Sequence, residues 1–142
     1  MWSNLAKIAQ LQNLPWLLLG DFNEVLYGED KLGGRRVNLN RALEFKDCLN
    51  ACNLLDIGFS GPKFTWSNLR QITDLVLERI DRCFANFEWR VLFPEASVTH
   101  LPRVFSDHCS VLLELFKPPL LSLISCSNSK PCGYTILSFL RL

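Results

Sequence analysis

Pro15-Trp16-Leu17-Leu18-Leu19-Gly20-Asp21-Phe22-Asn23 is the stretch on which the fold turns. Trp16 to Leu19 run without a polar interruption and stop at Gly20-Asp21. The run is short and closes on a turn signal, which predicts a strand buried on both faces. Side chains two apart on a strand point the same way. Asp21 and Asn23 are therefore expected to project together from the strand's C-terminal mouth, where Gly20 permits close backbone approach. A carboxylate beside a carboxamide orients a water, the first as base and the second as donor and acceptor. The plainer alternative is a strand-end turn, in which Asp and Asn are common.

Before this strand, residues 2–13 read as a short amphipathic helix, with Leu5, Ile8, Ala9 and Leu11 near one side. After it, residues 28–37 hold Gly28, Gly33 and Gly34 among charges and read as a loop. Asn38 caps a helix running to about Cys52, whose apolar positions are Leu39, Ala42, Leu43, Phe45, Leu49 and Cys52. Arg41, Glu44, Lys46 and Asp47 face water. Short strands are expected at Leu54–Ile57, Phe64–Ser67, Ala96–Leu101 and Cys109–Phe116. Leu75–Ala85 reads as one alternating strand, residues 86–92 as a helical turn, and Pro102–His108 as a loop. Strands and helices alternate, giving an α/β arrangement. Residues 118–142 follow Pro118-Pro119, have no clean period and read as a tail.

The 142 residues bound the chain to one domain. With 49% apolar residues, 20% charged and a net charge of +1, a sizeable core is available. Bulk electrostatics give no reason to bind nucleic acid or an anionic membrane, so any such site is local. No stretch approaches the ~18 consecutive apolar residues of a membrane helix, and Met1 to Gln10 does not read as a signal peptide. The six cysteines lack C-x-x-C spacing and are expected to be reduced, mostly core thiols, consistent with an intracellular protein.

Three further motifs carry candidate chemistry. In Phe64-Thr65-Trp66, Trp66 flanks a groove or stacks on a base, or is simply core. In Arg79-Ile80-Asp81-Arg82, Asp81 shares a layer with a catalytic group, or pairs with Arg79 or Arg82 at the surface. Ser106-Asp107-His108 places a carboxylate next to an imidazole that titrates near neutral pH. Lys31, Arg35, Arg36 and Arg41 form a local basic stretch suited to phosphate contacts, or a solvated face.

The four motifs in this order resemble the endonuclease/exonuclease/phosphatase family, which includes apurinic endonucleases, deoxyribonuclease I and the endonuclease domains of LINE reverse-transcriptase proteins. The text linking them, at Pro15–Leu26, Gly33-Gly34-Arg35, Phe45–Leu55 with Asp56, and Phe64–Asn68, is similar to the plant LINE (non-LTR retrotransposon) endonuclease. The resemblance covers about residues 1–116, within an expected domain of residues 1–117. It implies a deoxyribonuclease I-like two-sheet α/β sandwich and Mg²⁺-assisted phosphodiester hydrolysis. By motif, it implies that Asp21 positions or deprotonates water, Asn23 supports the scissile phosphate, and Asp81 pairs with the catalytic His108. Asp107 is implied near the metal. Trp66, Arg35 and Arg36 are the candidate nucleic-acid contacts.

Family members carry an N-terminal half with the main metal-binding glutamate, and Glu24 and Glu29 are not in its place. The chain therefore reads as the C-terminal half of such a domain, a partial sandwich followed by the tail. The expectation is a nuclease remnant, weak or inactive alone, with weak or lost DNA binding, no membrane and no small-molecule cofactor. An uncovered sheet face would favour aggregation or a partner chain, and nuclear residence follows by analogy. A non-catalytic nucleic-acid-binding fragment or a vestigial product is the competing reading, and a phosphatase of inositol phosphates or sphingolipids a further one.

Overall fold

The computed structural model describes residues 2–11 and 14–116. The expected tail, with Cys126 and Cys132, lies outside the described residues. Helix α1 spans Trp2–Leu11 and strand β1 Leu17–Asp21. A 3-10 turn at Gly28–Asp30 leads into β2, Lys31–Leu32. The loop expected over 28–37 thus contains a short strand. Helix α2 spans Leu39–Ala51, and the Asn38 side chain accepts from the Asn40 and Arg41 N–H groups, as its sequence position predicts. Then follow β3 (Leu55–Asp56), β4 (Trp66–Ser67), β5 (Leu77–Glu78), β6 (Asp81–Ala85), α3 (Phe87–Leu92), β7 (Ser97–His100) and β8 (Val111–Glu114).

The strands form three small antiparallel sheets, ordered β1-β6-β3, β2-β5-β4 and β7-β8. The protein is therefore mixed α/β. The single strand expected over Leu75–Ala85 is two strands in two different sheets. The chain changes partners at Arg79-Ile80, which the unbroken period-2 alternation did not reveal.

The run that opens β1 is buried from both sides. Leu18, Phe22 and Phe84 pack with Phe45, Cys48, Leu49, Cys52, Leu54 and residues of α1. On the opposite face, Leu17, Leu19, Cys83 and Ala85 pack with Trp89, Val98, Val111 and Leu113. Helices thus cover one face of β1-β6-β3, and β7-β8 with α3 the other. The bare face expected from the sequence is not found on this sheet. Two predicted core positions of α2 are also displaced: Leu39 and Leu43 are 72% and 57% exposed, while Cys48 is buried.

Among the described residues the four cysteines are buried free thiols. Burial pushes the Cys83 thiol up to about 12, which keeps it protonated and chemically quiet. No helix among the described residues is long and apolar enough to cross a membrane.

His100, at the end of β7, is buried. Its Nδ1–H donates to the Pro62 carbonyl at 2.8 Å, and its ring stacks on Phe59 with centroids 4.4 Å apart. Burial lowers its pKa below the ordinary value. The folded state therefore holds it neutral, while the unfolded chain takes up a proton below a pH of about 6.5. Its contribution to stability is complete above that pH and is lost as pH falls toward the folded value. Denaturant melts above and below that pH should show this loss in the native chain and not in His100→Asn, whose amide retains a donor.

Candidate active site

The last rung of the β1–β6 ladder sets Asp21 directly opposite Asp81. Both are buried, Asp81 completely. Like charges facing each other across a ladder destabilise it, so the pair asks for a positive group. His108 supplies one candidate. Its backbone bridges Trp66, and its Nδ1–H donates to Asp81 Oδ2 at 3.0 Å. Asp21, Asp81 and His108 each present a ligand atom, all within 4.8 Å of one another. The second oxygen of Asp81, Oδ1, is buried without a hydrogen-bond partner. Desolvation raises the Asp81 carboxyl above its ordinary value, opposed chiefly by the hydrogen bond from His108.

Sequence reading missed what holds Asp81 in place. Thr65 is fully buried, and its Oγ1 accepts the N–H groups of Ile80 and Asp81 at 3.1 and 3.0 Å, where the chain changes sheets. Thr65 lies inside Phe-Thr-Trp, where only the aromatic was weighed. The flanking arginines do not pair with Asp81, as the alternative reading had them. Arg82 is buried and bonded to Asp30 and, at 2.8 Å, to Asp56. Arg79 bonds Asp56 at 2.7 Å, and its guanidinium lies 4.2 Å from the Phe59 ring centroid. Asp30 carried no signal in the sequence and Asp56 stood there only within the resembling text, because their partners are 52 and 26 residues away.

Asn23 does not share a strand face with Asp21. β1 ends at Asp21, and Asn23 has a left-handed backbone (φ 52°) and an exposed side chain. The two-residue rule fails because there is no strand left for it to apply to. What joins the two is the Asn23 backbone N–H, which donates to Asp21 Oδ1 at 2.9 Å.

Asp107 is exposed and stands outside the trio. Its Oδ2 accepts the Trp66 indole N–H at 3.1 Å, the principal cause of a pKa below the ordinary carboxylate value. Trp66 is half-buried beside it.

Arg35 and Arg36 lie elsewhere, lining an open depression of about 400 Å³ with Gly28, Lys31, Gly33, Gly34, Val37 and Leu39. Gly33 (φ 77°) is required there, since a Cβ would meet the Leu75 carbonyl oxygen at 2.1 Å. The basic stretch is partly spent: Lys31 pairs with Glu78 and Arg41 with Glu24. Among the described residues no ion pair engages Arg35 or Arg36.

The arrangement offers a carboxylate–imidazole dyad, a second carboxylate and an unsatisfied buried oxygen. Such a set can orient a water, move a proton and hold a hard cation. No protein-family model and no curated protein matches the chain.

Proposed function

We propose that the Asp21–Asp81–His108 cluster is a phosphodiester-hydrolysing site of the metal-dependent endonuclease type, a remnant of a LINE-type endonuclease on a deoxyribonuclease I-like sandwich. The observation that carries this reading is the opposed Asp21–Asp81 pair with His108 within ligand distance. The order of the four motifs supports it.

The donor set fits a divalent cation. Two carboxylates share a rung, and the orphaned Asp81 Oδ1 has no other use among the described contacts. Asp21 and Asp81 would hold Mg²⁺, which supplies Lewis-acid charge to a phosphate oxygen. Asp81 Oδ2 fixes the His108 tautomer by accepting from Nδ1–H, so Nε2 is the ring atom that exchanges a proton with the phosphate or leaving group. The buried carboxylate then stabilises the imidazolium. Asp21 accepts the proton of the attacking water, its other contact being the Asn23 N–H. A hard cation takes about six oxygens, and two carboxylates hold it thinly, so activity of the isolated chain is weak.

The expected result is slow nicking of supercoiled plasmid DNA that requires Mg²⁺ and stops with EDTA. Equal nicking in both conditions, or none after long incubation at high Mg²⁺, would contradict it. A second reading, nucleic-acid binding without cleavage, is favoured by one observation: Arg35 and Arg36 line an open depression with no carboxylate engaging them. DNA retention without nicking, lost at high salt, would select it. Nuclear residence belongs to either reading.

A further inference from the structure

Phe105 is fully exposed, and Leu69 and Val104 are largely so. Burying such residues is worth free energy that the described residues leave unused, and they flank the candidate site. Phe105 lies two residues before Asp107, and Leu69 two residues after Ser67. Ser67 N–H donates to the Asp107 carbonyl at 2.9 Å. Two residues of chain span at most ~7 Å, so both Cα atoms stand within that distance of this hydrogen-bonded pair. The turn that carries Phe105 is anchored. His108 N–H donates to Ser106 Oγ at 3.1 Å, and Trp66 holds the Asp107 carboxylate.

We infer that Phe105 is the surface on which a nucleobase of the substrate stacks next to the Asp21–Asp81–His108 cluster. The inference rests on the phosphodiesterase reading of that cluster. Three observations select a base as the occupant. The aromatic residue adjoins groups suited to a phosphate. Successive nucleotides advance only about 3.4 Å along a duplex axis, so a strand with a phosphate at His108 carries neighbouring bases past the turn. Arg70 follows Leu69 directly in sequence, is exposed, and forms no ion pair with a carboxylate among the described residues. Aromatic and arginine side chains together are the usual platform for stacked bases and their phosphates. A protein partner seated on Phe105 would also bury the exposed Asp107 carboxylate, which is costly. A stacked base leaves it in water.

The test uses the full chain and fluorescence anisotropy with labelled single-stranded and duplex oligonucleotides over a range of salt. Phe105→Ala is expected to weaken binding by about 5- to 100-fold, the loss of one stacked base, with an unchanged salt slope because no phosphate contact is lost. Phe105→Trp is expected to bind like the native chain. Cleavage of the small diester bis(p-nitrophenyl) phosphate by the native chain is followed in parallel. That assay judges the phosphodiesterase reading separately, since it needs no base. Native affinity in Phe105→Ala, or absence of oligonucleotide binding by the native chain, overturns the inference. So does a Phe105→Ala chain that loses self-association on size exclusion without losing DNA affinity, which would make the patch an interface between copies.

Discussion

Asp30→Ala is expected to destabilise the fold by about 3–5 kcal/mol, the cost of stranding a buried charge. Asp30 is 2% exposed, and Arg82, its partner, is completely buried. Removing the carboxylate leaves two guanidiniums, Arg79 and Arg82, sharing Asp56 alone. Burial and the neighbouring Arg82 already push the Arg79 guanidinium below its ordinary value, so the network has little tolerance for losing an anion. It also loses the hydrogen bond from Tyr27 N–H to Asp30 Oδ2. For a domain of this size the midpoint of thermal unfolding should fall on the order of 10–20 °C. The exposed pair gives the contrast. Arg41 is 63% exposed where it meets Glu24, and Arg41→Ala should cost less than about 1 kcal/mol. Comparable losses in the two variants, measured by denaturant melts, would show that the buried network does not hold the junction of the two sheets.

The second large effect falls on catalysis. His108→Ala should lower the Mg²⁺-dependent nicking rate by about 10²- to 10⁴-fold, the usual range for a group that transfers a proton, with an unchanged circular dichroism spectrum. Asp81→Asn separates function from structure more sharply. Its carboxyl is raised by burial. A carboxylate raised in the folded state contributes stability below its unfolded pKa and loses it as pH rises through the folded value. At neutral pH the charge on Asp81 therefore costs stability, and the amide removes that cost while still accepting from His108 Nδ1. Asp81→Asn is expected to melt higher and cleave more slowly. A lower melting point with a normal rate would mark Asp81 as an ordinary structural residue.

Where local chemistry sets the structure, the sequence is readable. The apolar run closed by Gly20-Asp21 locates β1, and Asn38 locates the start of α2 through its side-chain oxygen. Asp21, Asp81 and His108 were legible because short motifs mark them. Legibility ends where a partner is distant. Nothing in the alternation of Leu75–Ala85 says that Glu78 pairs with Lys31 and Trp66 while Asp81 pairs with Asp21. Asp30 looks like one more loop acid until Arg82 reaches it, and Thr65 looks like a strand former until the chain changes sheets beside it. Asn23 failed for a different reason: a rule valid inside a strand was carried past its end. Asp107, implied near the metal by the resemblance, stands outside the trio, with its carboxylate bonded to the indole N–H of Trp66.

Everything functional depends on Asp21 and Asp81 jointly holding a divalent cation beside His108. A Mn²⁺ titration followed by NMR of the two histidine rings tests this directly. The His108 ring signals should broaden before those of His100, Mg²⁺ should reverse the effect by competition, and Asp21→Ala should abolish it. Broadening that ignores Mg²⁺ and persists in Asp21→Ala would contradict the account.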